Sequence, residues 1–78
     1  MSTASIGLYK DGILLGTGTA DTANNTITSY SGTAPGNGRN IQVQNRGTTN
    51  LGRSYNARVV SGSGTATLTL DSPLPYPQ

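Results

Sequence analysis

Residues 65–70 read Thr-Ala-Thr-Leu-Thr-Leu and carry the clearest two-residue repeat in this chain of 78 residues. The alanine and the two leucines fall on one side of an extended backbone, and the three threonines fall on the other. A turn sequence, Ser61-Gly62-Ser63-Gly64, precedes this run and connects it to an earlier apolar run at Tyr55–Val60. The two runs are therefore predicted to form antiparallel strands joined by a hairpin.

The same pattern recurs toward the N-terminus, where short apolar runs alternate with turn residues. Lys10-Asp11-Gly12 predicts a hairpin, because aspartate and glycine tolerate the positive φ angles of tight hairpin turns. Gly16 and Gly18 indicate a bend, a bulge or a close approach by another backbone. The further predicted strands are Ser5–Tyr9, Ile13–Thr19, Thr26–Tyr30 and Asn40–Gln44.

No stretch of the chain has the spacing of apolar residues that is typical of a helix. The sequence therefore predicts an all-β fold, a small antiparallel β-sandwich or barrel of about six short strands, as a single domain over residues 1–70. The long polar loop Ser31–Gly38 is free to cross between sheets. Residues 71–78 contain three prolines and are predicted to form an extended C-terminal arm.

Composition excludes several classes of function. The chain has no cysteine and no histidine, which excludes the usual zinc sites, haem ligation, disulfides and a thiol nucleophile. Its three acidic residues are Asp11, Asp21 and Asp71, and their spacing matches no calcium-binding loop. We therefore predict a protein that is not an enzyme, with no catalytic, cofactor-binding or metal-binding residues.

The charge pattern indicates neither nucleic acid nor a membrane as partner. Five cations against three anions give a net charge of +2 in a chain that is only 10% charged. Four arginines are dispersed over the second half, whereas nucleic-acid sites usually cluster their basic residues. The longest apolar run, Ile13–Leu15, is far shorter than a bilayer span. The absence of cysteine fits synthesis in a reducing cytoplasm.

Protein–protein contact is the role that this composition favours. Unpaired sheet edges invite strand addition, and a proline-rich segment loses little entropy on binding. Leu74 and Tyr76 are apolar residues without an obvious place in a sheet, so they either anchor the tail on a neighbour or fold back over the barrel. We predict partner binding by Pro73, Leu74, Pro75 and Tyr76. The N-terminal segment Met1–Ser5 and the loop Ser31–Gly38 are further candidate contact regions.

The chain resembles the small structural proteins of tailed bacteriophages, most closely head decoration (cement) proteins. The resemblance lies in the composition of the whole chain and in the local sequence of residues 39–75. This stretch includes RVVSGSGTATLTL at 58–70, followed by Asp-Ser-Pro-Leu-Pro. It implies a β domain on the capsid surface that stabilises the major capsid protein lattice. It also implies a homo-oligomer, with a trimer favoured, made in the host cytoplasm and bound to the major capsid protein or another virion protein.

Two other functions stay open at this point. Asparagine, threonine, glutamine and tyrosine on outward strand faces also suit a glycan- or receptor-binding β module of a phage tail or fibre. A minor tail or adaptor protein would differ from a decoration protein only in its partner. If the arm binds the capsid, deletion of residues 72–78 is expected to abolish capsid binding and to leave the β circular dichroism spectrum intact.

Overall fold

A computed structural model describes residues 3–47 and 51–76, which form six antiparallel strands and no α-helix. The strands pair in the order β1-β2-β3-β6-β5-β4, and β1 pairs with β4 to close a barrel. This confirms the predicted all-β class and chooses the barrel over the sandwich. The strands are β1 (Thr3–Lys10), β2 (Ile13–Asp21), β3 (Thr26–Gly32), β4 (Asn40–Asn45), β5 (Ser54–Ser61) and β6 (Leu68–Leu70).

The connection between β3 and β4 crosses one end of the barrel, which we call the crossover end. Strands β1–β3 and β4–β6 each pair in chain order, and this connection joins the two halves along the chain. Its backbone is held by hydrogen bonds from Thr33 N to Leu15 O (2.8 Å) and from Gly38 N to Val59 O (2.6 Å). Pro35, within the connection, is buried. The long polar loop therefore crosses between non-consecutive strands and covers this end of the core.

The first hairpin has the turn that its sequence predicts. Asp11 and Gly12 both have positive φ, 53° and 79°, and the strands pair directly on either side as Lys10 with Ile13. Positive φ at both central positions is typical of the type I′ turn, whose twist matches that of the flanking strands. Aspartate and glycine therefore fix the register of β1 against β2 near the turn.

The inward face of β2 is lined by small residues, and this makes room for the large side chains of β3. Gly16 pairs with Leu8, and a Cβ atom on Gly16 would collide with the Ser31 carbonyl oxygen and lie 2.7 Å from the Tyr30 hydroxyl. A Cβ atom on Gly18 would lie 2.6 Å from Ile27 Cγ2. The close approach expected at these two glycines is confirmed, and the register shifts at β1/β2 and β2/β3 show the accompanying irregularities.

The interior of the barrel is filled by side chains that alternate along the strands. Ile6, Leu8, Ile27, Val43 and Val59 are fully buried, and so are the two leucines of β6. Small barrels of this kind are packed cores, because the space inside is just wide enough for side chains. The buried apolar cluster comprises Ala4, Ile6, Leu8, Ala20, Ile27, Tyr30, Ile41, Val43, Ala57, Val59, Leu68, Leu70, Leu74 and Tyr76.

The last strand is shorter than its sequence repeat predicts. The two-residue alternation covers residues 65–70, but β6 includes only Leu68–Leu70, and Ala66 is exposed instead of inward. The Thr65 hydroxyl is within hydrogen-bond distance of the carbonyl oxygens of Gly62 (2.7 Å) and Thr67 (2.8 Å). These local bonds compete with the strand ladder, so the turn extends further than the apolar pattern indicates.

The extended C-terminal arm predicted for residues 71–78 is not what the structure shows. Leu74 and Tyr76 are each only 3% exposed and belong to the barrel's own core. Leu74 N donates a hydrogen bond to the Asp21 carbonyl oxygen (2.9 Å), which fixes the segment across the open end. Residues 71–76 thus close the end opposite the crossover end, because burying two large apolar side chains is favourable. Pro77 and Gln78 lie outside the described residues.

Candidate binding surface

The four predicted partner-binding residues separate into two groups. Leu74 and Tyr76 are buried inside the barrel end, whereas Pro73 and Pro75 are exposed. Of these four residues, only the two prolines offer surface to a partner in this structure. Partner binding by the four residues stays a prediction. Of the predicted N-terminal contact segment, Met1 and Ser2 lie outside the described residues, and the remainder belongs to β1.

A cluster of aromatic and cationic groups surrounds the buried tail. The rings of Tyr55 and Tyr76 meet edge to face, with centroids 6.3 Å apart and planes at 86°. The Arg53 guanidinium carbon lies 4.5 Å from the centre of the Tyr76 ring, and the Tyr76 hydroxyl donates a hydrogen bond to the Arg53 carbonyl oxygen (2.9 Å). These contacts hold the tail in place, and they explain why Tyr76 is an internal anchor.

The Tyr55 hydroxyl is the unfavourably placed polar group of this cluster. It is buried and has no hydrogen-bond partner among the described residues. Burial, together with the neighbouring Tyr76, raises the pKa of Tyr55 to about 12 from its ordinary value of 10.0. A buried hydroxyl without a partner costs free energy of folding, because its hydrogen bonds to water are lost without replacement.

We expect Tyr55→Phe to leave the free energy of unfolding at pH 7 unchanged or to increase it by up to about 1 kcal/mol, because the variant removes an unpaired buried group. The raised pKa means that stability is fully present below pH 10 and falls as the pH rises toward 12. Tyr55→Phe should lose less stability than the wild type over that interval. Urea unfolding at pH 7, 9 and 11 measures both effects, and an equal decline in the two proteins would contradict the assignment.

The outer surface of the barrel carries one tyrosine, Tyr9, since the other three are turned inward or partly buried against the core. Tyr9 lies on β1 and pairs with Gln42 of β4. Its Cε1 atom is 3.1 Å from the position that a Cβ atom on Gly7 would take, and Leu14 Cδ1 and Arg46 Cδ are equally near, at 3.1 and 3.2 Å. The Tyr9 ring therefore leans along the strand over a glycine.

Two shallow grooves meet at Tyr9, one toward each end of the barrel. Side-chain amides occur in both linings, and each groove contains one cation. The groove nearer the crossover end, about 220 Å³ in volume, is lined by Tyr9, Lys10, Asp11, Gly12, Asn40, Ile41, Gln42 and Asn56. The groove nearer the tail, about 310 Å³ in volume, is lined by Tyr9, Gln44, Asn45, Arg46, Leu51 and Gly52. We call the surface formed by Tyr9, Asn40, Gln42, Gln44 and Asn56 the amide face.

The fold gathers the cations that are dispersed in the sequence. All four arginines lie in or beside β4 and β5, and Lys10 ends the strand that pairs with β4. No acidic residue occupies either of these two strands. Within residues 3–47 and 51–76, none of these cations forms an ion pair. The β4–β5 pairing brings the arginines onto neighbouring strands, and Lys10 joins them only through the β1–β4 pairing, which links residues far apart in the chain and has no local sequence signal.

Several aliphatic side chains remain exposed. Ile13 is 65% exposed and Val60 is 52% exposed, and the strand pairings place both at the crossover end. Leu51 is 72% exposed beside the groove nearer the tail. Solitary exposed apolar residues are ordinary in soluble proteins. Here they are a notable share of a chain that has only fourteen isoleucine, leucine and valine residues.

Comparisons of the chain with protein-family models, with curated proteins and with solved structures found no match. Among the described residues, no three acidic side chains lie close enough together to hold a metal ion. The same part of the chain has no helix with the length and apolarity needed to cross a bilayer.

Proposed function

We propose that this protein is a structural component of a virion, a capsid decoration protein that binds the major capsid protein lattice of a tailed bacteriophage. The observation that carries the protein-binding part of the proposal is the pair of exposed aliphatic side chains, Ile13 and Val60, at the crossover end. The assignment to a capsid comes from the sequence resemblance alone.

Burial of these two side chains against a partner would supply a substantial part of a binding free energy. Full burial of one isoleucine or valine side chain contributes about 1.5–3 kcal/mol. The segment 33–39 lies at the same end and includes part of the loop Ser31–Gly38 that the sequence indicates as a contact region. The crossover end is therefore the proposed attachment surface, and the buried tail stabilises the barrel that presents it.

Such a protein acts mechanically. Each bound copy adds contact area across the boundary between neighbouring capsid subunits, and this added area raises the free energy needed to separate them. Two or more copies acting together, as in the trimer that the resemblance implies, would increase the effective local concentration of each attachment surface.

The experiment combines the purified chain with empty shells assembled from the major capsid protein of the same genome. Size-exclusion chromatography with light scattering measures the mass of the free chain and its transfer to the shells. We expect the wild-type chain to move onto the shells. The double variant Ile13→Ser/Val60→Ser should bind at least about tenfold more weakly, because both apolar contacts are lost.

Thr28→Ala is the matched control for this experiment. Thr28 is exposed on β3 and pairs with Thr19, six residues along β2 from Ile13, so its variant should bind as the wild type does. A folded wild-type chain that stays monomeric and ignores the shells would contradict the proposed function. Shell binding that is unaffected by the double variant would retain the function and reject the crossover end as the attachment surface.

A further inference from the structure

The amide face has the chemistry of a site for a sugar chain. Each side-chain amide offers both hydrogen-bond donors and an acceptor, as a sugar hydroxyl does. Gln42 Nε2 is 3.4 Å from the Ser54 hydroxyl, and the side chains of Asn40, Gln44 and Asn56 have no hydrogen bond within the described residues. These groups are therefore available to a ligand without the loss of strong internal contacts.

Tyr9 supplies an aromatic surface between the two grooves. Sugar rings present apolar C–H groups on one face, and these groups pack on aromatic rings. A few polar groups placed around an apolar contact fix the orientation of a ligand, which is the usual composition of a binding site. The position of Tyr9 at the junction of both grooves allows an extended ligand to contact the ring and continue in either direction.

The two cations specify the charge of that ligand. Lys10 lines one groove and Arg46 lines the other, while Asp11 is the single acidic residue in either lining. Since Tyr9 pairs with Gln42, Lys10 lies beside Ile41. From there to Arg46 are five residues of nearly extended chain, so the backbones at the two cations are about 17 Å apart at the usual rise of a strand. The Arg46 side chain reaches back from this position, with its Cδ atom over Gly7. The surface between the cations is uncharged.

The positions of the two cations favour one class of charged polymer over another. A nucleic-acid strand carries a phosphate on every nucleotide, so several phosphates between the two cations would face uncharged amides. Single-stranded nucleic acids also stack successive bases on several aromatic rings, and this surface has one. A polysaccharide with an acidic group on only some of its sugars matches a neutral centre with a cation at each end.

We propose that the amide face binds an extended acidic polysaccharide in which charged sugars alternate with neutral ones. A neutral sugar packs on Tyr9, the amides of Gln42 and Gln44 bind its hydroxyl groups, and Lys10 and Arg46 pair with carboxylates on either side. This function is additional to capsid binding and does not depend on it, since Ile13 and Val60 line neither groove.

The test measures binding of the purified full chain to immobilised polymers by biolayer interferometry at low and high salt. Hyaluronan and colanic acid are the sparsely charged acidic polysaccharides, dextran is neutral, and oligo-dT and polyglutamate represent nucleic acid and acidic protein. We expect binding to at least one of the first two, weakened by salt, and weaker binding to the other three.

Variants of Tyr9 and Arg46 identify the surface. Tyr9→Ala should weaken polysaccharide binding about tenfold, the scale of one aromatic stacking contact, whereas Tyr9→Phe keeps the ring and should bind within about threefold of the wild type. Arg46→Gln should weaken binding and reduce its salt dependence. Thr28→Ala is again the control, and urea unfolding shows whether each variant remains folded.

Failure to bind both hyaluronan and colanic acid would overturn the proposal. Tighter binding to oligo-dT or to polyglutamate would also overturn it, in favour of nucleic acid or of an acidic protein. Equal binding by Tyr9→Ala and the wild type would reject this surface. None of these outcomes affects the shell-binding experiment, because that experiment changes other residues and uses a different partner.

Discussion

Gly16→Ala is expected to destabilise the protein by about 3 kcal/mol or more, although it adds a single methyl group. In most strands this substitution is favourable, because glycine loses more backbone entropy than alanine on folding. Here the new Cβ atom would collide with the backbone oxygen of Ser31 and lie 2.7 Å from the Tyr30 hydroxyl. The backbone oxygen belongs to the adjacent strand and cannot move without disturbing the β2–β3 pairing.

The expected loss is a large fraction of the total stability. A domain of this size has a free energy of unfolding of about 4–12 kcal/mol at the usual value per residue. Urea unfolding followed by far-ultraviolet circular dichroism measures the change, and the midpoint should fall sharply with little change in slope. A measurable fraction of Gly16→Ala molecules is expected to be unfolded at room temperature.

Gly7→Ala is the matched control for that prediction. It is the same substitution in the neighbouring strand, but the three atoms nearest to a Cβ atom there belong to the side chains of Tyr9, Leu14 and Arg46, at 3.1–3.2 Å. Flexible side chains can move by a few tenths of an ångström, so the change in stability should stay within about 1 kcal/mol. Equal effects of the two substitutions would contradict the prediction that the close backbone approach makes Gly16 intolerant of a side chain.

The local features of this fold could be predicted from sequence, because they depend on neighbouring residues. Asp11-Gly12 and the alternating apolar residues identify the strands and the first hairpin. The closure of β1 on β4 could not be predicted in the same way, because it joins Ile6 to Asn45 and no local pattern records that pairing. The amide face depends on the same pairing for Tyr9, so the sequence identifies its amides as polar strand positions but does not place the tyrosine ring beside them.

The tail shows a different limit. The sequence identifies Leu74 and Tyr76 as apolar residues outside the strands, and it leaves two locations for them, a neighbouring protein or the end of their own barrel. The choice depends on whether that end has space and backbone acceptors for them. Asp21 and Arg53 provide those acceptors through their carbonyl oxygens, and they become neighbours of the tail only in the folded barrel.

Deletion of residues 72–78 should therefore prevent stable folding, and not merely remove a contact arm. The deletion takes two buried side chains from the core and uncovers the end of the barrel. Truncation of a buried leucine to alanine costs about 2–5 kcal/mol and truncation of a buried aromatic residue about 3–5 kcal/mol. Their combined loss approaches or exceeds the whole stability of a domain of this size. The β circular dichroism signal should be lost or should disappear at low urea concentration.

Single substitutions distinguish a tail that closes the barrel from a tail that is a contact arm. Leu74→Ala should lower the free energy of unfolding by about 2–5 kcal/mol, whereas Pro73→Ala and Pro75→Ala, at exposed positions of the same segment, should change it by less than about 1 kcal/mol. If the chain that lacks residues 72–78 instead kept its circular dichroism spectrum and its unfolding midpoint while losing shell binding, the tail would be a contact arm. The burial of Leu74 and Tyr76 would then contribute little to stability, because the barrel would close without them.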